Sequence, residues 1–563
     1  MPRLFRVLLT VPLLLVELAL GVAVAALPLL LLDMQLTPPL ADGEAAGLPA
    51  REPFGDGGWR TANGWLAPTP DGLWEAYVQG GDLERGLALG SLARELIHRQ
   101  EELFVQRIRL LVPDTGKLGW LRHFIGFFNR DLEEHVPLEY RREIYGESRA
   151  FDPAFDAIGT GYERALNYHA AHDIGHALQD LAFVGCTSFA AWGERTADGQ
   201  LLIGRNFDFH LGDDFACDRL VLAMRPDSGH PFVIVTWAGM LGAVSGMNLE
   251  GLTVTINASR SALPTGARTP ISLLAREILQ HAATVDQAVA IAARREVFVS
   301  ESILVGSARD GRAVVIEKAP DGMGVYDPGN GLVVCANHYQ SDAFLGSSVN
   351  RANLRESDSM ARFRRMRTLA ATGPPLTPAD AVRILRERRG PAGEDVGLGN
   401  PIAIDQLIAH HSVVMEPGRR RLWLGTGPWT LGAYRCYDLR AIFAHHSPDP
   451  VPSLLHSPAT LPADTLLASP AMGDLVWHRA MRSALLERRV TGRTYRLAPE
   501  DEQAYVRTDP HNAITYSDLA QWYHAFGDKE RAAMYYREAL ARTVASPAER
   551  RELEKALAAC DPS

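Results

Sequence analysis

Apolar residues gather in short blocks through the middle of the chain and shift to three-to-four spacing on either side of it. Phe232–Trp237 and Leu252–Asn257 read as buried strands. Further strands are expected at Glu301–Ser307, Ala313–Lys318, Gly324–Asp327 and Gly331–Ala336, with Asp-Gly or Asn-Gly turns at 310–311, 321–322 and 330–331 between them. Two more follow at Ser412–Met415 and Arg421–Gly425. Helical spacing marks Leu83, Leu87, Leu92 and Leu96, then 103–111, Tyr162–Leu181, Pro270–Leu279, Val285–Arg294 (with Thr284 as its cap) and Pro378–Arg389. The pattern predicts an α+β fold with much antiparallel sheet.

The chemistry concentrates in one predicted hairpin. Gly185-Cys186-Thr187-Ser188-Phe189 and Gly204-Arg205-Asn206-Phe207-Asp208-Phe209 form its arms, and Asp198-Gly199 its turn. Cys186 opens the first strand, and Arg205 and Asp208 close the second. Folding back brings a thiol, a guanidinium and a carboxylate to one sheet edge. The expectation is a buried Asp208–Arg205 pair and a thiol acidified by the neighbouring cation.

These residues resemble the N-terminal nucleophile (Ntn) hydrolases of the choloylglycine hydrolase and penicillin V acylase type. Among those, the chain resembles the acyl-coenzyme A:6-aminopenicillanic acid acyltransferase branch, the C45 peptidase family. The resemblance implies a four-layer αββα sandwich and a precursor that cuts itself between Gly185 and Cys186. The freed α-amine would then serve as general base for the Cys186 thiol. Glycine at 185 suits the cut by leaving the scissile carbonyl uncrowded. Gly246-Met247-Asn248-Leu249-Glu250-Gly251-Leu252 resembles the family's Gly-Met-Asn-x-x-Gly-Leu turn, and by position Asn257 would be the oxyanion residue. Asn337 matches a second active-site asparagine, which binds the scissile amide or helps hold the α-amine. The segment Asp358–Phe363 matches a Ser/Arg/Phe helix opening whose arginine lies near the nucleophile, here Arg362. The implied activity is amide C–N hydrolysis or acyl transfer on a small N-acyl compound through a thioester, with no cofactor and no metal.

Length, charge and cysteine usage narrow the picture. The 563 residues suggest about three or four units. A net charge of −10 over that length gives no case for nucleic-acid binding. The five cysteines (186, 217, 335, 436 and 560) show no CxxC pair, which argues against structural zinc or a disulfide framework. Residues 1–33 read as a membrane anchor or signal peptide. Leu8 to Leu32 is almost wholly apolar behind Arg3 and Arg6, so the remainder is expected to be exported, on the periplasmic or extracytoplasmic face. The unbroken apolar run favours an anchor, while Ala23-Val24-Ala25 offers a signal-peptidase alternative.

Residues 34–75, rich in Pro, Gly and Ala, read as a linker, and 76–185 as a helical propeptide region before the catalytic domain at 186–447. A second linker at 448–470 leads to a helical extension, 471–563, whose stretch Asp518–Leu540 resembles one tetratricopeptide repeat. A protein partner there rests on analogy alone. His172 and His176 stand at i and i+4, but Asp173 occupies the place where a zincin has Glu, so packing is the better account. Three rivals to the Cys186 reading fare worse. Cys335 and His338 face opposite sides of a strand. Ser188 lacks a GxSxG elbow. A non-catalytic scaffold sits poorly with Cys186, Arg205, Asp208, Asn257, Asn337 and Arg362 all being present.

Overall fold

The computed structural model describes residues 36–41, 43, 44, 47–111, 126, 129–177, 185–209, 212–260, 266–444, 454, 459–491 and 497–560. The apolar N-terminal run therefore lies outside the described residues. Among the described residues no helix is long and apolar enough to cross a membrane.

Among the described residues seventeen strands build two stacked sheets. The smaller, of six, runs β14 (Leu332–Cys335), β5 (Thr187–Ala191), β6 (Leu202–Asp208), β15 (Ala409–Glu416), β16 (Arg421–Gly425), β17 (Tyr434–Asp438), and every neighbouring pair is antiparallel. The larger, of eleven, begins with β1 (Glu52–Phe54), β2 (Gly58–Thr61), β3 (Gly64–Pro68) and β4 (Trp74–Gly80). It continues through β7 (Leu220–Pro226), β8 (Phe232–Thr236), β9 (Ser245–Asn248), β10 (Leu252–Ala258), β11 (Glu301–Ser307), β12 (Arg312–Ala319) and β13 (Gly322–Tyr326).

Strand alternation sorts each residue into a layer. On β6, Ile203 faces the other sheet, where Ala190, Val233, Leu304 and Val413 fill the space between the two. Its neighbour Leu202 faces outward, against Met366 and Val382 of the helices Ser359–Thr372 and Pro378–Leu385. The outer face of the large sheet is covered by helices that include Asp82–Leu92, Leu138–Ser148 and Ile271–His281, packed through Leu87, Ile144, Leu274 and Ile278. Helix, sheet, sheet, helix: the fold is the αββα sandwich.

The N-terminal third departs from the sequence reading. Residues 52–68, read as linker, carry β1 to β3, and β4 crosses the expected boundary at residue 75. These strands are three to seven residues long and joined by turns rich in Gly, Asn, Asp and Pro, so the turns dominated the local composition. β4 pairs in parallel with β7, which ties this segment into the catalytic domain's own sheet. The helices after it are tied in as well. Glu143 accepts from Arg85 Nη2 at 2.7 Å and Arg276 Nη2 at 3.2 Å, all three side chains being buried. The helix Gly161–Ala177 contains positions 172 and 176, whose side chains lie outside those described.

At the C-terminus five helices share their own core, with Tyr505, Leu519, Trp522, Tyr536 and Leu553 inside it. The repeat-like stretch falls on the helices Ala513–Ala525 and Lys529–Leu540, joined through Gly527 at φ 85°. This unit rests on the sandwich. Arg479 Nη1 donates to the Leu407 carbonyl (2.8 Å) and Asn512 Nδ2 to that of Leu398 (3.1 Å).

Candidate active site

The hairpin forms as expected, with Thr187 opposite Asn206 and Ser188 opposite Arg205. Its connection is a ten-residue stretch, 192–201, containing a short 3-10 turn at Gly193–Arg195. Extending the register places Gly185 beside Asp208. The Asp208 backbone carbonyl accepts both the Gly185 N–H (3.2 Å) and the Cys186 thiol (3.6 Å). Both sides of the Gly185–Cys186 bond are thus held by one carbonyl at the end of β6.

Arg205 lies fully buried between the sheets. Its Nη2 donates to the Ile256 carbonyl (2.6 Å) and stands 3.9 Å from Cys186 Sγ. Its Nη1 donates to Ser245 Oγ (2.6 Å) and to His411 Nε2 (3.0 Å). Nε2 of His411 therefore accepts, and the ring lies over Phe207 at 5.1 Å. Burial beside two arginines holds His411 well below the ordinary histidine range, so it stays neutral.

The expected Asp208–Arg205 pair does not form. The two residues stand three apart on β6 and so project from opposite faces. Arg205 points between the sheets, whereas both carboxylate oxygens of Asp208 are buried without a hydrogen-bond partner among the described residues. Burial, with Asp405 nearby, pushes the Asp208 carboxyl well above its usual range. The acidified thiol is corrected too. In the uncut chain burial outweighs the pull of Arg205 and pushes Cys186 up to about 11.

Arg362 comes to the Gly185–Cys186 bond from the helix layer. Its Nη1 donates to the carbonyls of Gly185 (2.7 Å) and Cys186 (3.0 Å) and to Asn337 Oδ1 (3.1 Å). Its Nη2 donates to Asn337 Oδ1 (3.0 Å) and Asp358 Oδ1 (2.9 Å). Asn337 is anchored in turn, since its Nδ2 donates to the Ala258 carbonyl at 2.9 Å. Asn257 stands deeper in the site. Ser188 Oγ donates to its Oδ1 (3.2 Å), and its Nδ2 donates to the Cys335 carbonyl (3.2 Å). Cys186, Arg205, Arg362 and Asn337 thus form one bonded cluster around the Gly185–Cys186 bond, and Asp208 joins it through its backbone.

The rival cysteine and histidine do separate, although the strand expected to carry both ends at Cys335 and His338 lies in the bend that follows. Cys335 faces the inter-sheet core, while His338 Nδ1 pairs with Ser359 Oγ (2.7 Å) and its ring meets Phe363. Three residues of the cluster went unread in the sequence: Ser245, His411 and Gln406. Gln406 Nε2 donates to the Gly185 carbonyl at 2.8 Å. His411 stands next to the predicted strand Ser412–Met415 and was reachable by extending it one residue. Gln406 sits in the loop before β15, where no pattern signals it.

An αββα sandwich with a cysteine at the head of a central hairpin is the architecture the Ntn resemblance implied. Residues 195–393 match the family model for acyl-coenzyme A:6-aminopenicillanic acid acyl-transferase, so the resemblance holds over that stretch. It contains Arg205, Asp208, Asn257, Asn337 and Arg362, while Cys186 and Gln406 lie outside it. Among curated proteins, an uncharacterized protein of Archaeoglobus fulgidus is 25% identical over 316 residues, 49% of this chain and 52% of the relative. Protein dcd1B of Dictyostelium discoideum is 23% identical over 282 residues, 47% and 55% of the two chains. The chain spans about half the length of these relatives. Solved structures that overlap it include a Caenorhabditis elegans ortholog of N-acylethanolamine-hydrolyzing acid amidase, with 20% identity, TM-score 0.31, and 41% of this chain and 93% of that one covered. Conjugated bile acid hydrolase from Clostridium perfringens overlaps at 11% identity and TM-score 0.31, covering 46% and 93%.

Proposed function

We propose that this protein is a self-processing cysteine amidohydrolase or acyltransferase of the N-terminal nucleophile type, acting on the amide of a small N-acyl compound. The observation that carries the reading is the hold on one peptide bond. The Gly185 carbonyl receives two side-chain donors, and the Cys186 thiol lies beside the Arg205 guanidinium.

Self-cleavage begins with attack of Cys186 Sγ on the Gly185 carbonyl carbon. A C–S bond forms, the C–N bond breaks, and the thiol proton ends on the departing nitrogen, which becomes the Cys186 α-amine. Water then hydrolyses the thioester, releasing the Gly185 carboxyl and restoring the thiol.

In turnover that α-amine takes the thiol proton, and the thiolate attacks the substrate amide. The tetrahedral oxyanion is stabilised by the Asn257 amide with a backbone N–H. Asn337 holds the scissile amide or the α-amine, and Arg205 and Arg362 supply positive field. The tetrahedral intermediate expels the amine, which leaves with the proton carried by the ammonium. Water resolves the thioester in hydrolysis, and a second amine in acyl transfer. The extracytoplasmic location implied by residues 1–33 belongs to the same proposal, and suits a lipophilic acyl group on the substrate.

Intact mass and N-terminal sequencing of the purified protein, wild type beside Cys186→Ala, test the first step. A wild-type fragment beginning at Cys186, absent from the variant, is the expected result. A wild-type chain that stays whole removes the α-amine base and overturns the mechanism in favour of a non-catalytic scaffold.

A further inference from the structure

We propose that Gln406 is a catalytic residue of the Gly185–Cys186 self-cleavage, forming with Arg362 a two-donor hole for the oxyanion on Gly185, and that the C-terminal helices brace it there. This rests on the self-processing reading above.

Cleavage has to stabilise negative charge on one atom, the Gly185 carbonyl oxygen, as the thiol adds to its carbon. Two side chains already donate to that oxygen, Arg362 Nη1 at 2.7 Å and Gln406 Nε2 at 2.8 Å. Fixed donors of this kind gain strength as the oxygen takes up charge, and they need no rearrangement to do so. Neither gives up a proton. The oxygen receives the carbonyl electron pair on attack and returns it when the C–N bond breaks. Asn257 does not serve this oxygen, since its amide donates to the Cys335 carbonyl. The hole for the cut is therefore distinct from the one assigned to turnover. Gly185 shows how closely Gln406 is seated: a Cβ there would collide with the Gln406 side-chain amide.

The position of Gln406 is fixed from both neighbours. Before it, the buried Asp405 is held by Arg388 Nε (2.9 Å) and Thr430 Oγ1 (2.8 Å). After it, Leu407 adopts φ 54°, a left-handed conformation that a leucine keeps only where its surroundings impose it. Part of those surroundings belongs to the helix Pro470–Thr491. Leu475 packs on Leu407 and Leu431, and Arg479 Nη1 donates to the Leu407 carbonyl at 2.8 Å. The C-terminal extension thereby reaches the scissile bond in two steps, through Leu407 and then Gln406.

The test follows the uncut fraction of the full chain by intact mass during cell-free synthesis, for wild type, Gln406→Ala, Gln406→Glu and Arg479→Ala. Glutamate keeps the volume of glutamine but loses the donor when ionised. At neutral pH both Gln406 variants are expected to cut roughly a hundred-fold more slowly than wild type. The Gln406→Glu rate, relative to wild type, should recover as the pH falls and a protonated carboxyl can donate, a response that a purely structural role would not give. Arg479→Ala should slow cutting about ten-fold, by loosening the donor rather than removing it. Gln406 variants cutting at the wild-type rate, or a Gln406→Glu ratio flat with pH, would overturn the role of Gln406. Arg479→Ala at the wild-type rate would overturn the brace. A wild-type chain that is never cut would overturn the self-processing reading and this inference together, a result distinct from either.

Discussion

Arg362 donates to the carbonyl of Gly185 across 177 positions of chain, Nη1 to O at 2.7 Å. The guanidinium also reaches Asn337 and Asp358, so one planar group joins the Gly185–Cys186 bond, the segment after β14 and the start of the helix Ser359–Thr372. A fork of fixed donors can serve three directions at once, whereas a lysine ammonium on a flexible stem cannot.

Arg362→Lys should therefore slow the Gly185–Cys186 cut by about ten-fold or more, through loss of a fixed donor at the Gly185 oxygen. It should also cost about 2 kcal/mol of stability through the lost hydrogen bonds. Urea unfolding in a Cys186→Ala background, which keeps all chains uncut, measures the stability part. Unchanged unfolding would mean that the fork is not anchoring these three elements.

Gly185→Ala drives a Cβ into the Gln406 side chain. The expected outcome is a lower melting temperature together with slowed cutting. Adding Gln406→Ala should relieve the clash and restore the melting temperature but not the rate, because the donor is gone. Recovery of both would show that Gln406 contributes bulk alone.

Glu147 is fully buried, accepts among the described residues the Gly239 N–H through Oε1, and is pushed up to about 8 by burial. Its folded value lies above its unfolded one, so the folded state binds the proton more tightly. Stability is then full below about pH 4.5 and is lost as pH rises toward 8. Glu147→Gln should remove that slope and raise stability at pH 8 by about 4 kcal/mol. Denaturant titrations at pH 5 and pH 8 compare the two proteins, and equal slopes would sink the claim.

Buried histidines give the opposite sign. Burial lowers His169 and His338 each to about 4, and His411 falls well below its usual range. The unfolded chain binds these protons more readily, so their contribution is full above about pH 6.5 and is lost as pH falls toward 4. His169 and His338 should each contribute a loss of about 3 kcal/mol over that window. Denaturant titrations at pH 6.5 and 4.5, wild type beside His169→Gln and His338→Gln, read each contribution as the change in the difference between the two pH values. Variants whose pH difference matches that of wild type would contradict it.

Much of the central sandwich was legible because its signals are local. The strands Glu301–Ser307 and Arg421–Gly425 and the helix Val285–Arg294 fall where alternation and three-to-four spacing put them, and Thr284 caps that helix by accepting from the Gln287 N–H. The short strands β1 to β3 escaped because their turns outweigh them in composition. β4 and β7 escaped because their partnership is parallel and spans more than a hundred residues.

What the sequence determined by itself is the hairpin and the residues on it. Cys186, Arg205 and Asp208 are fixed relative to one another by a register that neighbouring strands impose. The same period of two already set Arg205 and Asp208 on opposite faces, against the expected pair. What only the tertiary structure decided is which groups converge on the scissile bond and in what state. Arg362 and Gln406 reach Gly185 from 177 and 221 positions away, because the helix layer and the loop before β15 pack against the small sheet. The thiol stays protonated in the uncut chain because burial on all sides outweighs one adjacent cation. Packing of distant segments sets both distance and desolvation, and neither quantity is written in any local stretch of residues.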